Sequence, residues 1–525
     1  MLCEREKGTG YASEVAVSTA RTLSTAEVAP TAPSAKTEKP SKWLWVPLIW
    51  LFFVSTRELS VWMEWDRPVA TNTDLGGSPV DRVLMISLMV LGFYILHLRW
   101  NQTRRILANN KWIVALFLLS AASVIWSNFP GMTVRRFFRS AGNLEMVLVV
   151  LTERNPLEAV RVLLRRLYVL IIPLSAYAIK YMRNIGVAYD WSGVEEEWVG
   201  LSTDKNSLGQ VAMLSGLFLF WDLLHDWSKR KVKRIRRRLL LEVAVLAVSM
   251  WLLRGSKNVH SSTSIVGFLS CSAVLISLQF IKKRSRRAKR IILASAMATV
   301  LIAPIVSMVF DALNTTPVQL VLQATGRDMT LTDRNLIWTD VLNNAAKHPI
   351  LGVGFGAYWV GPIGYDLYPM PNWSAKTPEW RPEEGHNGYI DVYAQLGLAG
   401  EIVLIGAIVS AFSGALSHLE TDFQFGSMRL VLLLSIVINN ATETSFLKGT
   451  HDLWFLFLLF AINLPRPVKK AVVKRIPAAW SDPGEPAEAD GSNDVQEGDS
   501  LVYTRQGIPG AAILNTRLLP LAGGI

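Results

Sequence analysis

Apolar residues along this chain come in long runs separated by short polar stretches. The runs recur on the scale of the ~20 residues that carry a helix across a bilayer. Trp112–Trp126, Val169–Ile179, Leu239–Leu253 and Ile291–Phe310 are examples. They do not alternate in the segments of about ten residues that a transmembrane barrel would show. The pattern predicts an all-α, polytopic membrane protein of about twelve transmembrane helices. Their expected centres lie near Leu51, Leu91, Leu119, Val147, Ile171, Leu214, Val245, Leu275, Met297, Ile402, Leu434 and Leu458. Residues 42–465 form this membrane domain, with one large extracytoplasmic loop at 311–388. The flanks, 1–41 and 466–525, are polar and lack apolar runs, so both are expected to be disordered tails.

Composition supports this reading. Half of the 525 residues are apolar, and the mean hydropathy is +0.28 despite the polar tails. Several of the nineteen tryptophans, such as Trp43, Trp65, Trp100, Trp112 and Trp126, sit at run ends, where an amphipathic ring suits the bilayer interface. The first forty residues lack the apolar stretch of a cleavable signal peptide. Two cysteines, Cys3 and Cys271, are too few for a disulfide framework.

The net charge of +12 sharpens the picture. Much of it lies in two blocks between apolar runs, "KRKVKRIRRR" (Lys229–Arg238) and "KKRSRRAKR" (Lys282–Arg290). Blocks of this kind mark cytoplasmic loops rather than a nucleic-acid surface, and counting outward from them places both termini in the cytoplasm. "RWNQTRRILANNK" and "RPVKKAVVKR" then fall inside, while the acid-rich "EWDRPVATNTDLGGSPVD" and "VAYDWSGVEEEWVGLSTD" fall outside, with the long loop. Loops this long usually carry function. Within it a helix is expected, capped by Thr332 or Asp333, with Ile337, Val341, Leu342 and Ala345 on one face and His348-Pro349 at its end. "PMPNWSAKTPEWRP" argues for irregular structure. The spaced glycines of "GVGFGAYW" allow a tight backbone path but make no phosphate fingerprint, since no strand precedes them.

Candidate chemistry gathers at the outer helix ends. It comprises Lys205 and Asn206, Arg254, Lys257 and His260, Arg327 and Arg334, His386 and Asn387, and Asn439, Asn440 and Glu443. Ionisable groups at a membrane boundary are costly unless paired or used. Basic residues and a histidine facing outward in a lipid-lined cavity suit sugar transfer from a lipid diphosphate. Arginines stabilise the anionic leaving group, and a histidine takes the acceptor's proton near neutral pH. No paired-aspartate motif for a metal is present, and no cofactor is expected.

The segments "TLTDRNLIWTDVLNNAAKHPILGVGFGAYW" and "GHNGYIDVYAQLGLAG" resemble the O-antigen ligase and polymerase superfamily, which includes exopolysaccharide polymerisation proteins. "SVIWSNFP", "DKNSLG" and "NATETSF" support the resemblance, which spans roughly Trp43–Leu464. It implies a twelve-helix fold in the bacterial inner membrane and metal-independent, inverting transfer. The donor would be an undecaprenyl-diphosphate-linked saccharide. The acceptor would be lipid A core, for a ligase, or another carrier-linked saccharide, for a polymerase, with other polysaccharide assembly proteins as further partners. By the same resemblance His386 would be the catalytic base and Arg334 a ligand of the donor phosphates, with Arg327, Asn387, Lys205, Arg254 and Glu443 as further substrate-binding candidates. Two departures stand out. Asp333 precedes Arg334 where the family usually has glycine, and "SSTS" (Ser261–Ser264) replaces a serine-arginine or serine-lysine pair. A second phosphate ligand is left open among Arg254, Lys257 and Arg327.

Blander readings stand beside these. His386 could cap the tenth span or bond Glu383 or Glu384, Arg334 and Lys205 could anchor helix ends, and Glu443 could pair with Lys448. The alternative function is a lipid-linked sugar transporter or flippase without catalysis. Such a protein is expected to carry midplane charges and two related halves, and neither is found in the sequence.

Overall fold

The computed structural model describes residues 40–63, 78–189, 193–256, 259–282, 334–376 and 381–465. The expected ninth span near Met297, Arg327, Lys257, nearly all of the second basic block and almost the whole of both tails lie outside these ranges.

The helices are α1 (Trp45–Ser55), α2 (Pro79–Leu98), α3 (Trp100–Asn109), α4 (Lys111–Ala122), α5 (Pro130–Leu151), α6 (Pro156–Tyr181), α7 (Lys205–Asp226), α8 (Lys233–Arg254), α9 (Ser262–Ile281), α10 (Arg334–Ala345), α11 (Gly388–Thr421), α12 (Phe423–Asn439) and α13 (Asp452–Ala461), with a few helices of six residues or fewer between them. Every expected span centre other than Met297 falls inside one of them. Among the described residues five helices, α2, α6, α7, α9 and α11, are long and apolar enough to cross a membrane. The pair α3 and α4, bent by 93°, makes a sixth span if counted as one. A two-stranded antiparallel hairpin, β1 (Val187–Tyr189) and β2 (Glu196–Trp198), joins α6 to α7.

Helix starts follow ordinary capping chemistry. Ser78, Asn155, Asp204, Asn387 and Asp422 each accept a backbone N–H from the first turn that follows, and proline opens α2 and α6. The bundle is arranged around α13, whose residues are all buried, and around α12 and α7, which are nearly so. Outer helices present large apolar side chains to the surroundings, among them Val83, Val90 and Phe93 on α2, Leu269 and Phe280 on α9, and Ile402 and Val409 on α11. A hydrocarbon solvent is what such a surface requires.

One set of charges inside the bundle is closely paired. Asp222 of α7 and Glu242 of α8 are fully buried, and Arg165 of α6 reaches both, with a 2.9 Å bond to Glu242. Arg161 reaches Asp222 and, at 2.9 Å, Asp226. Removing one partner from such a set would leave an uncompensated buried charge, so these pairs hold α6, α7 and α8 in register.

The longest helix is broken. Gly397 sits within α11 at φ 63°, and the two helical bonds that would link the carbonyls of Ala394 and Gln395 to the N–H groups of Leu398 and Ala399 are replaced. Val353 and Gly354 donate to those carbonyls at 3.1 and 2.9 Å, and Leu398 and Ala399 donate to the carbonyls of Pro349 and Ile350 at 2.9 and 3.0 Å. A Cβ at Gly397 would lie 2.3 Å from the Ile350 carbonyl carbon. Ser123 and Trp126 pin the same segment, through bonds to Phe355 N and the Leu351 carbonyl.

The loop that fills the break has its own small core. Ile337, Trp338, Val341 and Ala345 of α10 pack with Val353, Tyr358, Met370 and Trp373. Trp338, not the expected Leu342, completes this face, and Leu342 is 43% exposed. The proline-rich stretch is less irregular than expected. Pro371–Lys376 forms a helical turn tied to α10 by Asp340, which accepts from Asn372 and Trp373.

Gly397→Ala should therefore destabilise the protein. A left-handed φ costs an L-residue about 1–2 kcal/mol, and the clash with backbone adds to it. The expected result is a lower melting temperature in detergent and faster proteolysis between Leu351 and Lys376. A variant indistinguishable from wild type on both counts would contradict this arrangement of the break.

Candidate functional site

The site is assembled where α10, α11 and the α12–α13 connection meet. Arg334 opens α10, and its own helix packs on α11. Its side chain is 10% exposed, and its guanidinium donates to the Thr442 carbonyl and, at 2.9 Å, to Glu443 Oε1. The other Glu443 oxygen lies 3.2 Å from His386 Nδ1, and Glu384 Oε1 lies 3.0 Å from the same nitrogen. Lys448 closes the set on Glu384. Two carboxylates thus stand between two cations and a histidine.

The segment bearing His386 is clamped from several sides. Asp391, fully buried one turn into α11, accepts from the Gly385 N–H, from Thr444 Oγ1 at 2.7 Å and from Trp359 Nε1 at 2.9 Å. Trp338 Nε1 donates to the Gly385 carbonyl. The Asn387 side chain caps α11 by accepting from Tyr389 and Ile390, while its N–H donates to Thr444 Oγ1. Gly388 approaches so closely that a Cβ would meet Asn440 Oδ1 at 2.2 Å. These bonds hold His386 itself at φ 47°, a conformation that non-glycine residues adopt only where their surroundings impose it.

Two carboxylate oxygens face Nδ1, a geometry that favours a proton on that nitrogen. The side chain is 23% exposed, so it is not sealed off. Burial acts to raise the Glu443 carboxyl, but the bond from His386 and the charge of Arg334 overcome it and hold the group below the usual carboxylate range. Glu384, His386 and Glu443 bring one ligand atom each within 4.8 Å of one another, a donor set able to close on a cation. Arg334 and Lys448 bond the same two carboxylates.

Of the residues singled out in the sequence, Arg334, His386, Asn387 and Glu443 come together here. Thr263, in the "SSTS" stretch, joins them through a 2.8 Å bond to Thr442. Lys205 turns instead to Glu197, at 2.5 Å. Arg254 is exposed at the end of α8 and makes no bond to the described residues of the cluster. Arg327 lies outside the described residues. Sequence reasoning missed Asp391 and gave Lys448 the wrong neighbour, pairing it with Glu443 rather than Glu384. An acid one turn into an apolar run was the available signal for Asp391.

Taken as a class, this is a multi-pass helical membrane protein with a paired arginine–glutamate–histidine centre at one end of its bundle. Residues 258–405, which include Arg334, His386 and the break at Gly397, match the family described as O-antigen ligase. The chain is also similar to the exopolysaccharide production protein ExoQ of Rhizobium meliloti, at 24% identity over 416 residues, 76% of this chain and 87% of that protein. The family match and this relative bear out the resemblance that the motifs carry, to the O-antigen ligase and polymerase superfamily. Glu443 and Lys448 lie beyond the matched segment.

The depressed Glu443 carboxyl has a consequence for stability. A group whose folded value lies below its ordinary one stabilises the fold above that ordinary value and loses the effect as pH falls through the folded one. The melting-temperature advantage of wild type over Glu443→Gln should be full near neutral pH and shrink below about pH 4. An advantage that does not change across this range would show that the carboxylate's charge is not what holds Arg334 and His386.

Proposed function

We propose that the protein is a membrane glycosyltransferase that moves an oligo- or polysaccharide from undecaprenyl diphosphate to an acceptor hydroxyl. The observation that carries this reading is the single carboxylate, Glu443, shared between Arg334 and Nδ1 of His386. It orients a diphosphate-binding cation and a general base toward one place. The acceptor hydroxyl gives its proton to His386 Nε2 as its oxygen bonds to the anomeric carbon. The bond from that carbon to the phosphate oxygen breaks, and Arg334 stabilises the charge that the leaving diphosphate gains. The displacement is single, so the anomeric centre inverts. No metal is needed, since Arg334 takes the role that a divalent cation plays in many sugar transferases.

The topology proposed with it has twelve spans, both termini in the cytoplasm, and the 311–388 loop and the site on the outer face of the bacterial inner membrane. The basic block Lys229–Arg238 supports this sidedness. It follows Asp226 at the end of α7, whereas Asp204, at the helix start, acts electrostatically on Lys448 of the site. An apolar cleft of about 200 Å³ between α7, α8 and α9, lined by Phe220, Leu246, Met250, Phe268 and Ile276, offers room for part of a polyprenyl tail. The exopolysaccharide relative supports polymer assembly on a carrier-linked acceptor over ligation to lipid A core.

Two outcomes test the reading on purified protein. His386→Ala should leave donor binding nearly intact and slow transfer by roughly 10²–10⁴-fold. Arg334→Ala should weaken donor binding as well, and Arg334→Lys should restore it only in part, because an ammonium cannot form the two-pronged bond. Near-normal transfer by His386→Ala would make the histidine a structural residue. Separately, transfer should survive excess chelator. Complete loss, restored by magnesium or manganese, would assign Glu384, His386 and Glu443 to a cation instead.

A further inference from the structure

We infer that Lys448 is a second cationic ligand for the donor's diphosphate, held by Glu384 as an internal counter-ion until the donor binds. The inference rests on the reaction proposed above and supplies the second phosphate ligand that the "SSTS" departure leaves open.

The first observation is the pattern of pairing. Arg334 stands against Glu443, Lys448 stands against Glu384, and both carboxylates face one nitrogen of His386. Each cation thus pairs with a carboxylate that also faces the proposed base. A diphosphate entering beside His386 would meet both, and each would exchange a carboxylate for a phosphate oxygen.

The second observation is strain. Among the described residues, the non-glycine residues with positive φ are His386, at 47°, and Leu447, at 63°. One is the proposed base, and the other immediately precedes Lys448. A left-handed leucine persists only where its surroundings over-determine it, and such positions gather at functional sites. Here the surroundings are built for the purpose. Asn440 Oδ1 accepts from Ser445 N and Phe446 N, both at 3.0 Å. Asn143 Nδ2 donates to the Gly449 carbonyl at 3.0 Å, and a Cβ at Gly449 would come within 2.8 Å of Ser140 N. Phe446 and Leu447 are buried. The turn is anchored on both sides of Lys448, yet the lysine side chain is itself 34% exposed. An ordinary surface ion pair contributes too little to justify a strained backbone.

The third observation is the placing of the alternatives. Arg254 makes no bond to the described residues of the cluster, and Lys205 is occupied by Glu197. Arg136 faces Lys448 as a further positive charge, with Asp204 and Glu383 opposing it. Glu384 differs from these two acids in touching both Lys448 and His386 directly.

The experiment is equilibrium binding of undecaprenyl diphosphate, without a sugar, to the purified full-length chain in detergent. Lys448→Ala should weaken binding roughly tenfold, the scale of one charge-assisted contact, and Lys448→Arg should retain most of it. Glu384→Gln should tighten binding several-fold, because it frees Lys448. Glu383→Gln, which removes the same charge without that contact, should have a smaller effect. A gain of affinity cannot arise from misfolding, so the glutamine variant keeps the test decisive even if Lys448→Ala is unstable. Unchanged binding in a folded Lys448→Ala overturns the inference, as does a Glu384→Gln variant no tighter than Glu383→Gln. Arg334→Ala in the same assay separates the two levels. If it weakens binding while Lys448→Ala does not, the proposed reaction stands and this inference fails. If neither weakens binding, the phosphate-binding reading itself fails.

Discussion

A helix in a membrane must satisfy its own backbone, and α11 does not. At Gly397 its chain turns out of the helical region, and two carbonyls and two N–H groups lose their helical partners. In hydrocarbon each unsatisfied group would cost several kcal/mol. The segment Pro349–Gly354 supplies all four bonds, so the break and the loop require each other. Everything at the site end of the bundle depends on this exchange. It fixes the loop core, the loop core seats α10, and α10 begins with Arg334. The half of α11 before the break begins at Asn387, beside His386. The cation and the histidine are therefore positioned from opposite ends of one interlocked unit.

Charged groups are buried at several places in the bundle, and two of these places are handled differently. Around Asp222 and Glu242 the carboxylates are fully enclosed and each is met by arginine, an arrangement that ties three helices. Around His386 the Arg334–Glu443 pair is about as enclosed, but that one carboxylate serves both a cation and a histidine, and His386, Glu384 and Lys448 are partly open. The first arrangement has little freedom to change partners without stranding a charge. In the second, the Lys448–Glu384 pair is open enough to change partners, while Glu443 stays enclosed.

Much of this was legible in the sequence, and the part that was not has a physical cause. Runs of apolar residues located eleven of these thirteen helices, all but α3 and α10, because burial in hydrocarbon leaves a strong one-dimensional signal. The motifs "HPILGVGFG" and "LGLAG" could be quoted as a pair but not explained. Their connection is a set of backbone bonds, to which side-chain chemistry gives no clue. "SVIWSNFP" belongs to the same knot, since Ser123 and Trp126 bond the loop. Arg334, His386 and Glu443 were found because charge at the edge of an apolar run is conspicuous. Lys205 and Arg254 satisfy that same criterion and turn elsewhere, since proximity to one face of a membrane does not determine which partner a long side chain finds. The partner of Lys448 depends on a turn with a left-handed leucine, a conformation no sequence rule assigns to leucine.

That turn and the His386 segment share a logic. Each places a polar side chain on backbone that would not choose its conformation alone, and each is held by bonds from buried side chains. Asp391, Thr444, Asn387 and Trp338 hold the segment around His386, while Asn440 and Asn143 hold the turn at Leu447. Asn440 links the two, since its carbonyl accepts the Gly388 N–H at 2.8 Å while its side chain caps the turn before Lys448. Rigid backbone of this kind would let side chains exchange ionic partners without the site losing its shape, which is the condition that the proposed binding of a diphosphate beside His386 imposes.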